Sequence, residues 1–412
     1  MAMKQTQTKM FDFSDVGLDF CAGSKNLFPD RFKKMLSLGY NEQTVSSVAV
    51  AGNQVTLTYG GTHGYVADRV LKVSAPELLS INDGEFVIDS VTENTVTMTI
   101  DGAPASIAGN FTTKIASLGW SLEYENSNVH IYKFKHIDET DLFIRFVFQN
   151  NASYRNTVSV CIGKTANLTL GTITDPNSIE NNRENLTPVA GPNWEFTYSA
   201  NNTHNNYNYS QGLSFYGLGR VLGSKYHFAA IFNCHSQIAS TRICGVFPFT
   251  PVYGYSALDY PALFVEETTN AITTNLNSPY GLIHSRVYVG KTRCMGDQVR
   301  ADYTASTRFY QNASTARAWK SFTTQDAFNT SVAQPMPIYE SPSDQFLGYL
   351  MGIYACSFGA TNTPPFTNDL NPSLTSDVDL GSLVVMGLLS RSTAADGMNF
   401  FAFPVEEIKI AS

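Results

Sequence analysis

Charge is what this sequence has least of: Asp, Glu, Lys and Arg make up 15% of its 412 residues, against roughly 25% in an ordinary soluble globular chain. The formal net charge is −8 and no cluster of Lys or Arg stands out. A groove that tracks phosphates is therefore disfavoured, and direct nucleic-acid binding is not expected. Long apolar runs are missing too. No stretch reaches the roughly 18 residues of a membrane-spanning helix, and Met1 to Met10, with Lys4 and Lys9, hold no apolar core of a signal peptide. Neither membrane insertion nor signal-peptide export is expected. The six cysteines (Cys21, Cys161, Cys234, Cys244, Cys294, Cys356) show no paired spacing, which argues against a disulfide framework and fits thiols made in a reducing cytoplasm. No repeat of fixed period suggests a solenoid or propeller.

The parts of common catalytic sites are also missing. Gly217, Gly219 and Gly223 resemble a dinucleotide loop only faintly, because the third glycine falls one position late and no βαβ pattern surrounds it. A tight turn between strands is the expected structure there. Gly163-Lys164-Thr165 and Gly290-Lys291-Thr292 lack the glycine that a phosphate loop needs five positions earlier, which is Val158 in one and Ser285 in the other; both read as strand ends. His227, Cys234, His235 and Cys244 are near in sequence without zinc-ligand spacing, and adjacent Cys234 and His235 would point to opposite faces of a strand. There is no Gly-x-Ser-x-Gly elbow and no His-Glu-x-x-His helix. Paired acids at Glu266-Glu267 and Asp377 with Asp379 leave a glycan hydrolase open, since a sequence cannot show two carboxylates facing one sugar. No catalytic residue, cofactor or metal is assigned.

What covers the surface instead is Asn, Thr, Ser and Tyr, as in residues 201–208, where Asn202, Asn205 and Asn206 are interspersed with Thr203, His204 and Tyr207. Such composition suits β structure and subunit contacts. The aromatic load of 21 Tyr and 27 Phe fits sugar stacking, subunit contacts or the packing of a large β core. Tyr207, Tyr209, Tyr216 and Tyr226 fall close together and are candidate contact residues. Phe11 and Phe13 join them, in a segment that reads either as an arm docked on a neighbour or as an ordinary first strand.

The expected fold class is mainly β. Residues 1–44 form an N-terminal arm and a short helix, in which Phe28, Phe32, Met35 and Leu36 share one face, Pro29 opens the helix and Gly39 stops it. Residues 45–110 alternate with period two: Val48 and Val50, Val55 and Leu57, Phe86 and Ile88, then Val96, Met98 and Ile100. Gly52-Asn53, Gly60-Gly61 and Asp101-Gly102 punctuate them as turns, so a small β-sandwich or β-barrel is expected, with Thr95, Thr97 and Thr99 on its wet face. Residues 111–412 form a larger β-sandwich-like body, with an insertion around 175–210. Ile131, Leu142, Ile144, Phe146 and Phe148 should point inward, strands recur at Gly348 to Tyr354, Leu383 to Leu389 and Phe400 to Phe403, and residues 270–279 and 361–379 read as surface connections.

An ordered series of motifs carries a resemblance. Phe28 to Val48 with Leu38-Gly39-Tyr40 comes first, then Gly64-Tyr65 in the small β unit and Leu118-Gly119-Trp120. Val129-His130-Ile131-Tyr132, Leu142 to Phe146, Trp194, Tyr226 to Ala229 and Gly348 to Tyr354 follow. In that order, over most of the chain, they resemble a family of tailed-bacteriophage virion structural proteins. The resemblance implies a subunit carried in the virion, in the tail, neck (collar) or baseplate region. Its partners would be copies of itself and other virion proteins, and it would be assembled in the host cytoplasm. The Asn-rich stretch 175–209 departs from the pattern. The alternative function is a receptor-binding or fibre-attachment protein, with a host-surface glycan as partner.

Overall fold

The structure is a computed structural model. It describes residues 8–21, 24–75, 78, 84–148, 157–179, 192–196, 206–216, 219–233, 241–265, 287–296, 332–340, 343, 345–357, 373–377, 381–389 and 398–404. The chain is mainly β, with 53% strand and 10% helix, in large curled antiparallel sheets consistent with a β-sandwich-like body.

The helix Phe28–Lys33 continues as a wider turn over Lys34–Leu38. Phe28, Phe32, Met35 and Leu36 are all 0% exposed, as their shared face requires. Its C-terminal carbonyls are satisfied from outside: Leu118 donates its N–H to Met35 O and Trp120 to Leu36 O, each at 2.9 Å. Gly39 turns the chain out at φ 75°, and a Cβ there would lie 2.3 Å from Ile115 O, so the stop needs glycine for both shape and space.

A seven-stranded antiparallel sheet follows, in the order Glu85–Val87, Val70–Ser74, Thr112–Ile115, Tyr40–Ala51, Gln54–Tyr59, Thr95–Thr99, Ser90–Val91. It starts before residue 45 and closes after residue 110, because Thr112–Ile115 pairs with both Val70–Ser74 and Tyr40–Ala51. Val96 and Met98 are buried while Thr95 and Thr97 are half-buried and Thr99 exposed, the alternation expected of a one-sided sheet. A five-stranded sheet is ordered Asn193–Glu195, Thr157–Gly163, Asp141–Phe148, Val129–Lys135, Ser121–Asn126. Ile131, Leu142, Ile144, Phe146 and Phe148 lie in its core.

The largest sheet, of 13 strands, begins with Lys9–Asp12 against Gly219–Ser224 and runs through His227–Asn233, Thr241–Phe247 and Ala262–Phe264 to Phe346–Ser357 and the C-terminal strands. Phe249–Pro251 follows Thr241–Phe247 directly, yet pairs with Phe346–Ser357 several strands away in the order. The sheet must curl back on itself to permit this. Two tryptophans tie it to the five-stranded sheet. Trp194 stacks on Phe228 at 5.3 Å and donates Nε1–H to Phe264 O at 2.8 Å, and Trp120 stacks on Phe134 and donates to Ser224 O at 2.9 Å. The helix lies between the two sheets, with Phe32 5.5 Å from Phe146 and 5.7 Å from Phe228.

Three expectations are corrected. Gly219 and Gly223 sit within a strand, not in a turn. A Cβ on Gly219 would meet the Phe13 ring at 2.3 Å, and one on Gly223 would meet His227 O at 2.5 Å, so these glycines allow close approach. A further helix forms at Tyr209–Tyr216, where a β segment was expected. Ser373–Asp377, within the expected surface connection 361–379, is a strand paired with Gly381–Leu389.

Candidate functional site

The N-terminal segment is an ordinary strand of this chain's own largest sheet. Lys9, Met10, Phe11 and Asp12 stand opposite Gly223, Leu222, Val221 and Arg220. Phe11 and Phe13 are each 1% exposed, and Phe13 packs on Phe20 at 4.4 Å. Their place in the core corrects the reading of these two as surface contacts.

Around this strand gathers a junction of buried ions. Lys9 Nζ, with its side chain 0% exposed, donates to Glu85 Oε2 at 2.6 Å and to Ser117 O at 2.7 Å. Arg69 grips Asp15 through Nε at 2.9 Å and Nη2 at 3.1 Å, while Tyr40 Oη donates to the same carboxylate at 2.7 Å. Arg220 Nε lies 2.7 Å from Asp12 Oδ2. Three cations thus face three carboxylates. Burial pulls the Lys9 ammonium below its ordinary pKa against the pull of Glu85, whereas Asp15 holds the Arg69 guanidinium above its own despite burial. Glu85 and Arg69 come from the seven-stranded sheet region and Arg220 from the largest sheet, so the strand is a pin between the two. Pairs of this kind add little net stability over apolar packing, but removing one partner leaves a buried charge. Sequence reasoning missed the junction, because nothing local marks Lys9 and Glu85, 76 residues apart, as partners.

Tyr207 and Tyr209 are half-buried and pack against the core. Tyr209 lies close enough to Asp12 for burial, and then that carboxylate, to push its phenol up. Tyr226 is 2% exposed and its hydroxyl is held by Glu139, so it too is a core residue and not a surface contact. Tyr216 lies in the helix Tyr209–Tyr216, but its side chain is outside the described residues. The exposed aromatics lie elsewhere. Val252, Tyr253, Tyr255 and Tyr349 expose 50%, 39%, 62% and 45% of their surface. Tyr253 and Tyr255 are paired at 5.8 Å, and Phe346 bridges Tyr349 at 5.0 Å and Tyr339 at 5.5 Å. The strand pair Phe249–Pro251 and Phe346–Ser357 positions this aromatic edge, with Thr250 opposite Tyr349 and the Val252 N–H donating to Leu347 O.

Chemistry-bearing side chains inside the molecule have structural company. Ser224 Oγ and His227 Nδ1 are 2.8 Å apart, a nucleophile-and-base pairing by type, but both residues are 0% exposed and Ser224 Oγ accepts the Tyr226 N–H across the hairpin. Burial holds the His227 imidazole down at about 3 and His130 down at about 4, so both are neutral near pH 7. Cys244 stands opposite Ala230, three residues along the strand from His227, while Cys234, His235 and Glu266-Glu267 lie outside the described residues. Both Gly-Lys-Thr tripeptides fall at strand ends, at Thr157–Gly163 and between Val287–Val289 and Thr292–Gly296. No helix among the described residues is long and apolar enough to cross a membrane. No family model matches the chain, and no curated protein matches it in sequence.

Proposed function

We propose that this chain is a non-catalytic structural subunit of a tailed-bacteriophage particle, assembling through contacts with its own copies and with other virion proteins of the tail, neck or baseplate. The exposed aromatic edge of Tyr253, Tyr255 and Tyr349 carries the reading. Tyr is enriched at subunit contacts, where a large rigid ring buries area at little entropic cost. The low charge of the chain works in the same direction, since fewer ions must be desolvated when surfaces meet. The order of motifs along the sequence supplies the virion context. The test is size-exclusion chromatography with light scattering on the wild type and on Tyr255→Ser/Tyr349→Ser. A multimer that the double substitution dissociates supports the reading, and a monomeric wild type at all concentrations counts against it.

A second reading is a receptor-binding or fibre-attachment role, favoured by the Tyr253–Tyr255 pair, because exposed rings also stack on sugars. Adsorption of the isolated protein to host cells, lost on Tyr255→Ser, would favour it over the first.

A further inference from the structure

Two turns meet at their side chains. One joins the strands Val129–Lys135 and Asp141–Phe148 and carries His136 and Asp138; the other follows the short helical turn Ser256–Leu258 and carries Asp259. One ring nitrogen of His136 and one carboxylate oxygen from each aspartate lie within 4.8 Å of one another. The first turn is held tightly: His136 N–H donates to Thr140 O at 2.9 Å, and Thr140 donates both N–H and Oγ–H to Asp138 Oδ1. Those bonds fix one oxygen of Asp138 and leave Oδ2 unclaimed by them.

His136 supplies the independent observation. Its side chain is 8% exposed, Nδ1 lies 3.1 Å from Asp138 Oδ1, and buried Nε2 makes no hydrogen bond. A buried ring nitrogen without a partner is destabilising. The Lys164 ammonium sits on Asp259 and also lies 4.7 Å over the Tyr260 ring. It is a displaceable surface group, with its side chain 35% exposed.

We propose that His136, Asp138 and Asp259 form a zinc-class divalent metal site that clamps the five-stranded sheet to the turn before Ala262–Phe264. One imidazole nitrogen and two carboxylate oxygens suit zinc, which takes both at about 2.0–2.2 Å and completes a tetrahedron with water. Calcium and magnesium want six or more oxygens, more than this cluster offers. From a spread of 4.8 Å, the ligand atoms need close by only about 1.4 Å to reach the edges of such a tetrahedron. Two carboxylates against one ammonium leave the cluster short of positive charge, and a divalent ion would displace Lys164. The site is independent of the particle role.

The test is zinc titration of the metal-stripped full chain by calorimetry, with metal analysis of the dialysed product. One zinc per chain is expected, with weak or no binding of magnesium and calcium. His136→Gln and Asp259→Asn should each weaken zinc binding at least about tenfold. Lys164→Met should tighten it, by removing the competing cation, and Asp141→Asn, an exposed acid nearby, should leave it unchanged. Asp259 is exposed enough for its variant to fold, which circular dichroism checks. Absence of saturable zinc binding, or zinc affinity unaltered in both His136→Gln and Asp259→Asn, overturns the proposal.

Discussion

Lowering the pH should destabilise this protein well before its carboxylates titrate, because of two imidazoles. His227 and His130 are 0% exposed. Burial is the largest cause of both depressions, to about 3 and about 4 from an ordinary 6.5, and at His130 it outweighs the attraction of Glu125 3.7 Å away. Each has a buried Nε2 without a hydrogen-bond partner, so a proton there would bring a buried charge with no hydrogen-bond acceptor, and at His130 with only Glu125 at 3.7 Å to offset it. The folded pKa lies below the unfolded one, so the unfolded state binds the proton first. The stabilising effect is complete above pH 6.5 and is lost as pH falls toward 3 to 4. At about 1.36 kcal/mol per unit, each imidazole should remove about 2 kcal/mol between pH 8 and pH 5, about 4 kcal/mol together. Urea unfolding followed by the fluorescence of buried Trp120 and Trp194 measures this at pH 8, 7, 6 and 5. His227→Asn keeps a polar atom near Ser224 without a titrating ring, and should cut the pH-dependent loss to about half. The reasoning is refuted if wild-type stability is flat from pH 8 to pH 5, or if the variant keeps the full loss.

Other consequences follow from the packing. Lys9→Met should cost about 3–5 kcal/mol by stranding Glu85, and Lys9→Met/Glu85→Leu should recover most of it, as a double-mutant cycle in urea would measure. Gly219→Ala drives a methyl into the Phe13 ring and should cost about 1–3 kcal/mol, read as a lower thermal midpoint; an unchanged midpoint would mean the N-terminal strand is not seated there. The Cys294 thiol, buried and pushed up to about 12, should resist Ellman-type labelling until the protein is unfolded.

How much of this was legible in the sequence depended on whether the signal was local. The helix face of Phe28, Phe32, Met35 and Leu36 and the alternation from Val96 to Ile100 are periodic patterns, and periodicity is what a sequence displays. The seating of Lys9–Asp12 on Gly219–Ser224 is a pairing across some two hundred residues, and no local pattern specifies its register. The same holds for Lys9 with Glu85 and Arg69 with Asp15. Tyr209–Tyr216 was masked as a helix by Asn and Tyr before it and by Gly212 within it, residues of poor helix propensity. The tyrosines grouped by sequence proximity also misled, since Tyr226 is buried, with its hydroxyl on the exposed Glu139, while the exposed ring pair sits at Tyr253 and Tyr255. Nearness in sequence does not tell which face of a strand a side chain takes.

The most direct test of the structural-subunit account is a subunit-resolution reconstruction of the intact phage particle. The account predicts this chain in several symmetric copies at the tail, neck or baseplate, with Tyr253, Tyr255 and Tyr349 buried against a neighbouring subunit. A particle without the chain, or one in which those rings face solvent, would contradict it.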